Sequence, residues 1–136
     1  MEYKNENGHV NLSLENNIVI AQFSGNLELE LLSNFKTALF ETIQSFKGEK
    51  WGYISDSSNV LAATPQAEQE MVAISHSMQQ NNCLISAFVL TSPIAISQMQ
   101  RIMQNAKRDV SFKDCLFDNL ESAKHFILNE LNNDLS

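Results

Sequence analysis

A chain of 136 residues with 43% hydrophobic content has the size of one domain built around one hydrophobic core. Its net charge of -7, with nine Lys and Arg residues spread along the sequence, argues against a nucleic-acid partner, because phosphate contacts need clustered basic residues. The N-terminus is polar and no apolar run approaches the roughly 18 residues of a membrane span. We therefore expect a cytoplasmic protein without a transmembrane segment.

The first half of the sequence predicts a hairpin, a helix and a strand. After a polar leader at 1–8, apolar and polar residues alternate at 10–14, and residues 18–23 are rich in β-branched side chains. A helix then ends near Gly48, and a strand at 51–55 is followed by a loop at 56–63. The predicted helix has an apolar stripe at three- and four-residue steps, made of Leu31, Leu32, Phe35, Ala38, Leu39, Ile43 and Phe46.

Two Ser/Thr-Pro pairs mark the starts of the second and third predicted helices. Thr64 and Ser92 each precede a proline, and a hydroxyl cap followed by proline at the first helical position favours helix initiation. The strand between these two helices, residues 84–90, is apolar almost throughout, which predicts that both of its faces are covered. The helix after Ser92 has a basic end, consisting of Arg101, Lys107 and Arg108.

The last elements are a short strand at 110–117 and a helix at 120–131, with a polar tail at 132–136. Asp118 and Glu121 have the spacing of a capping pair for this helix. Ala123 and Ile127, one turn apart, predict its inward face.

The resulting order is β-β-α-β-α-β-α-β-α, an α/β domain with five strands and four helices. Strands separated by helices become parallel through right-handed crossovers, whereas the opening hairpin is antiparallel, so we predict a mixed sheet. The predicted core unites residues from four of these elements, namely Ile18, Ile20, Ile54, Leu84, Phe88, Leu90 and Ile127.

The element order and three segments of the sequence resemble the SpoIIAA-like family. These segments are Trp51-Gly52-Tyr53-Ile54-Ser55-Asp56, Thr64-Pro65-Gln66-Ala67 and Phe117-x5-Ala123-x2-Phe126-Ile127. The resemblance covers residues 9–131, which we take as one domain. It implies the STAS fold of bacterial anti-anti-sigma factors, a fold often described alongside Sec14-like lipid-binding domains.

The segment after the strand at 51–55 is the first candidate site, because ligands favour the carboxyl ends of parallel strands. It offers Asp56, Ser57, Ser58, Asn59 and, at the helix start, Thr64. The family resemblance implies a phosphorylated serine near this helix start, usually in an Asp-Ser-Ser-Gly-like motif, whereas this chain has Ala63-Thr64-Pro65-Gln66. The alternative is that Thr64 caps the helix and residues 56–59 form a turn.

A second candidate site is an apolar pocket lined by methionines of the second and third helices, namely Met71, Met78, Met99 and Met103. Flexible thioethers suit an adaptable apolar pocket, and ordinary core packing is the alternative. If a cavity opens there, we expect weak micromolar binding of a fatty acid or similar amphiphile. Its polar head would lie near Ser57, Ser58 or Arg101.

Other reactive side chains give no recognisable motif. His9, His76 and His125 lack zinc-like spacing, so we predict no metal and no cofactor. Cys83 and Cys115 each adjoin an apolar segment and are predicted to be buried thiols.

We therefore predict a non-enzymatic SpoIIAA-like module that binds a protein partner or a small apolar ligand at the carboxyl ends of its parallel strands. A phosphorylation-switched anti-sigma factor antagonist is the alternative. A small hydrolase, using Asp56, Ser57 and His76, is a weaker one, because the chain has no nucleophile elbow. The sequence leaves homodimer formation open.

Overall fold

The structure, a computed structural model, describes residues 1–106 and 112–135. Within these residues it contains one sheet of six strands and four α-helices. The strands are β1 (Glu2–Lys4), β2 (Gly8–Glu15), β3 (Ile18–Leu27), β4 (Trp51–Ala63), β5 (Cys83–Val89) and β6 (Leu116–Phe117). The helices are α1 (Leu29–Ile43), α2 (Pro65–Gln80), α3 (Pro93–Asn105) and α4 (Leu120–Leu135), and short 3-10 helices lie at Gln44–Phe46 and Phe112–Cys115.

The strands follow one another across the sheet in chain order. The pairs β1–β2 and β2–β3 are antiparallel, and β3–β4, β4–β5 and β5–β6 are parallel. The predicted mixed α/β sheet is therefore confirmed. The carboxyl ends of the parallel strands and the starts of the helices that follow them lie at one edge of the sheet, which we call the carboxyl edge.

The prediction of five strands was wrong, because residues 2–4 of the polar leader form β1 at the edge of the sheet. Tyr3 pairs with Val10, and Met1 and Leu12 exchange hydrogen bonds of 2.7 Å through their backbone groups. Backbone hydrogen bonds to β2 place this strand, and the partly buried side chain of Tyr3 packs against the core.

The predicted loop at 56–63 is also wrong, because β4 continues to Ala63. Its partner β3 continues past the predicted strand segment at 18–23 and pairs with β4 as far as Leu27 opposite Ala63. The register of this pairing shifts between Gln22 and Ser24 and again between Gly25 and Asn26, and Gly25 has φ +76°. Such irregularities let turn-forming residues stay within a sheet. Asp56, Ser57, Ser58 and Asn59 of the first candidate site therefore lie on a strand paired with β3 and not on a free loop.

The chain around β6 differs from the prediction as well. Instead of a strand at 110–117, residues Phe112–Cys115 form a 3-10 helix and β6 has two residues, while Lys107, Arg108 and Val110 lie outside the described residues. Asn119, rather than Asp118, caps α4, since its Oδ1 accepts a hydrogen bond of 2.9 Å from the Ser122 amide. Ala123 and Ile127 are fully buried, as predicted.

Two clusters of buried side chains flank the sheet. Helices α1 and α2 cover one cluster, in which all seven residues of the predicted α1 stripe are buried. The other cluster includes α4 residues and six of the seven predicted core residues, and Leu84 packs against it partly buried. Cys83 and Cys115 are both buried, as expected, and neither is in a disulfide. No helix among the described residues is long and apolar enough to cross a membrane.

Candidate functional site

A groove at the carboxyl edge exposes two large apolar side chains. Leu61, near the end of β4, is 76% exposed, and Ile94, in the first turn of α3, is 79% exposed. The groove between these two segments has a volume of about 460 Å³. We call it the edge groove, and its walls are Val60, Leu61, Ala62, Ala63, Pro93, Ile94, Ala95, Ser97, Gln98 and Arg101.

The residues of the first candidate site do not converge on one point. Ser57 is buried, with its Oγ 3.2 Å from the Oγ of Ser55. Asp56 accepts two hydrogen bonds from Ser58 through its Oδ1, of 3.2 Å from the amide and 2.7 Å from the hydroxyl, while Asn59 is exposed. Successive side chains of a strand point to opposite faces, which separates Ser57 from Asp56 and Ser58.

The arrangement needed for the predicted hydrolase is likewise not assembled. Ser57 bonds with Ser55, Asp56 bonds with Ser58, and the Nε2 of His76 lies 3.3 Å from the Nε2 of Gln80. Within residues 1–106 and 112–135, His, Cys, Asp and Glu form no group of three that could hold a metal ion.

Thr64 acts as the N-cap of α2. Its Oγ1 accepts a hydrogen bond of 3.1 Å from the Ala67 amide, and Pro65 occupies the first helical position. The Thr64 amide donates to the carbonyl of Leu27 at 3.0 Å, which fixes the helix start to the end of β3. Ser92 caps α3 in the same way through the Ala95 amide. Both predicted caps are confirmed.

Replacing Thr64 with alanine should lower the free energy of unfolding by roughly 0.5 to 2 kcal/mol, because one amide of the first turn loses its acceptor. Thr64→Ser keeps the hydroxyl and should behave nearly as the wild type. Urea denaturation of the two variants measures the difference. Equal stability of Thr64→Ala and Thr64→Ser would contradict the capping role.

The four internal methionines, Met71, Met78, Met99 and Met103, line a single cavity between α2, α3 and the sheet. We call it the methionine cavity, and its volume is about 40 Å³. Met78 and Met103 are buried, whereas Met71 and Met99 are partly exposed. Its remaining walls are Phe23, Leu32, Phe35, Tyr53, Ser55, Ile74, Ser75, Phe88 and Ile102.

Three hydroxyl-bearing residues line this otherwise apolar cavity, namely Tyr53, Ser55 and Ser75, and all three are buried. A hydrogen bond joins the Tyr53 and Ser55 side chains, and burial raises the pKa of Tyr53 well above its usual value despite that bond. The sequence reasoning missed these residues. For Tyr53 and Ser55 the signal was their two-residue spacing, which puts both side chains on one face of β4 together with Ser57.

Arg101 is held at the surface by Glu68 rather than at the methionine cavity. Its Nε lies 2.6 Å and its Nη2 2.8 Å from the two carboxylate oxygens of Glu68, and Gln98 donates to the same carboxylate at 3.1 Å. These contacts join α2 to α3, and Arg101 also borders the edge groove. The hydrogen bonds from Arg101 hold the pKa of Glu68 below its usual value.

Glu68→Gln should lower the stability of the protein near neutral pH, and this difference from the wild type should shrink as the pH falls below about 4. A carboxylate whose pKa is lowered by folding stabilises the fold above its unfolded pKa of about 4.3, and the contribution disappears as the pH falls through the lower folded value. Thermal melts between pH 3 and pH 7 measure this difference. Glu41→Gln, at an exposed position of α1, controls for the loss of one negative charge. A difference that does not decrease between pH 7 and pH 3 would contradict the assignment.

The chain resembles several proteins of known structure. It is similar to an anti-sigma factor antagonist from Mycobacterium paratuberculosis, with 10% identity, a TM-score of 0.63, and 89% of this chain and 94% of the other covered. An uncharacterised protein with a SpoIIAA-like fold from Shewanella loihica PV-4 gives 11% identity, a TM-score of 0.66, and coverages of 93% and 98%. The anti-sigma factor antagonist SpoIIAA in its unphosphorylated form has 10% identity and a TM-score of 0.60, with 88% of this chain and 96% of the other covered.

These similarities show that the chain has a SpoIIAA-like fold of the STAS type, as its sequence predicted. No protein-family model and no curated protein matches the sequence. At identities near 10% the likeness concerns the fold, and function has to be argued from the site.

Proposed function

We propose that this protein acts by binding a protein partner in the edge groove, without catalysis. The observation that carries the proposal is the exposure of Leu61 and Ile94, at 76% and 79%, on the two walls of one groove. Single exposed apolar residues are common on protein surfaces, whereas apolar residues gathered within a polar rim are typical of interaction sites.

The position of the groove supports a binding role. Its walls come from the carboxyl end of β4 and from α3. Open α/β sheets bind their ligands at the carboxyl ends of their strands. Two of the similar structures are anti-sigma factor antagonists, a name that describes action against another protein. The proposal extends that mode of action, a protein–protein contact, to this chain.

Affinity purification from the native cell under mild crosslinking tests the proposal, with wild type compared against Leu61→Asp and Ile94→Asp. A charge on either wall should remove the same partner, because desolvating a carboxylate in an apolar contact is costly. Leu14→Asp is the matched control, since Leu14 is also an exposed apolar residue, 47% exposed, but lies outside the groove. Thermal melts establish that all three variants fold. A partner retained by both groove variants would contradict the proposal.

A phosphorylation-switched antagonist is the second candidate, and the similar anti-sigma factor antagonists favour it. Among the hydroxyls of the first candidate site, Ser58 is exposed and Thr64 is partly exposed, whereas Ser57 is buried. A phosphate on Thr64 would meet the free amides and the positive end of the α2 dipole. Intact-mass measurement of protein from its native cell decides this point. Stoichiometric phosphate on Thr64, Ser57 or Ser58 would support the switch, and unmodified protein under all growth conditions would contradict it.

Binding of a long apolar ligand is less favoured by the geometry. The methionine cavity, at about 40 Å³, is far smaller than the roughly 300 to 1,000 Å³ of typical ligand pockets. A fatty acid would therefore enter only if α2 and α3 moved apart. Arg101, the predicted head-group contact, already binds Glu68.

A further inference from the structure

We propose that the methionine cavity binds a small neutral molecule that carries one hydrogen-bonding group, of the size and polarity of a phenol. This inference goes beyond the proposed partner binding, which concerns the edge groove. It begins from the placement of the methionines. All four internal methionines of the chain line this one cavity, although they come from two different helices.

The size of the ligand follows from the volume and from the nature of the walls. A volume of about 40 Å³ is room for roughly two or three water molecules. A phenol is larger than this space, so its binding requires rotamer changes of the methionines, whose three rotatable bonds and polarisable sulfur permit such changes. Met71 and Met99 are partly exposed and Met78 and Met103 are buried, so we expect a ligand to enter beside Met71 and Met99.

The hydrogen-bonding group of the ligand is placed by the buried hydroxyls. A serine hydroxyl offers one donor and two acceptor positions. The Ser55 side chain bonds with Tyr53, and its Oγ lies 3.2 Å from the Oγ of Ser57. These two contacts leave it the capacity for a third hydrogen bond within the cavity. A ligand hydroxyl would therefore point inward to Ser55, with its apolar part among the methionines.

The ligand should be neutral because the cavity provides no countercharge. None of the described residues that line it is charged, and the neighbouring Arg101 is held outside by Glu68. An ionised carboxylate placed there would lose its hydration without gaining a cation, which is strongly unfavourable. This reasoning separates a phenol or short alcohol from a fatty-acid anion.

Nuclear magnetic resonance of protein labelled with carbon-13 at the methionine methyl groups tests the proposal with a matched set of probes. The three probes have the same aromatic ring. Phenol carries a hydroxyl group, benzene carries no polar group, and benzoate carries a negatively charged carboxylate. Phenol should give saturable shifts of the methyl signals of the four cavity methionines, while the fifth methionine, Met1, should not move. Benzene should bind roughly tenfold more weakly than phenol, the effect of one hydrogen bond, and benzoate should give no saturable shift.

A serine variant isolates the role of the hydroxyl. Ser55→Ala should reduce the affinity for phenol to near that for benzene and leave benzene binding unchanged. Because the three probes are first compared on the wild-type protein, the test holds even if this variant folds poorly. The proposal is overturned if phenol causes no saturable shift, if Met1 shifts with the others, or if benzoate binds as tightly as phenol.

Discussion

Replacing Phe88 with alanine should lower the free energy of unfolding by roughly 3 to 5 kcal/mol, as truncation of buried phenylalanines does. Phe88 lies on β5, is 4% exposed, and packs against Phe112 with ring centroids 5.5 Å apart. Its ring also forms a wall of the methionine cavity. Truncation would join the vacated space to that existing cavity, and a larger residual cavity increases the cost.

Urea denaturation measures this effect, with Ile94→Ala as the control. Ile94 is 79% exposed, so its truncation should change stability by no more than about 0.5 kcal/mol. A Phe88→Ala variant as stable as the control would show that Phe88 does not belong to the core. Phenol binding by a folded Phe88→Ala protein would also be altered, because the cavity loses one of its walls.

The helices could be predicted from the sequence because their signals are local. The apolar stripe of α1 repeats at helical spacing, and Thr64-Pro65 and Ser92-Pro93 carry the cap and the first-turn proline within two residues. Each signal depends on contacts inside one element, such as the hydrogen bond from the Ala67 amide to Thr64. The predicted starts of α2 and α3 therefore agree with the structure.

The ends of the strands could not be predicted in the same way because they depend on a partner strand. Residues 56–63 contain turn-forming side chains, yet they stay in the sheet because β3 pairs with them as far as Ala63. The polar residues 2–4 form a strand because β2 offers an unpaired edge. Neither the length of a neighbouring strand nor its register is visible in a local window of sequence.

The candidate sites also contain features with a local signal in the sequence and features that depend on distant residues. Helical spacing predicted that the four methionines would face the sheet, and they line one cavity there. The ion pair between Glu68 and Arg101 joins residues 33 positions apart, and no local pattern relates them. The edge groove was missed for a similar reason, since Leu61 lies in a segment interpreted as a loop and Ile94 in the first turn of a helix.

Gly52 should not tolerate alanine, and the expected loss is roughly 1 to 3 kcal/mol in the free energy of unfolding. Gly52 lies on β4, and a Cβ atom there would overlap the Cγ2 atom of Ile127 on α4. Ile127 is fully buried, so it has little freedom to withdraw. A glycine inside a strand often marks such a close approach, and here it allows α4 to pack directly on the sheet.

A double-mutant cycle identifies the contact responsible. Ile127→Leu removes the γ2 branch while keeping the side chain's volume, so the double variant Gly52→Ala/Ile127→Leu should be more stable than the sum of the single effects by roughly 0.5 to 3 kcal/mol. Gly8→Ala is the matched control, because its Cβ would meet the backbone carbonyl of Asn26 instead. Combined with Ile127→Leu, Gly8→Ala should give additive losses. Additive losses for Gly52→Ala as well would show that Ile127 does not require the glycine.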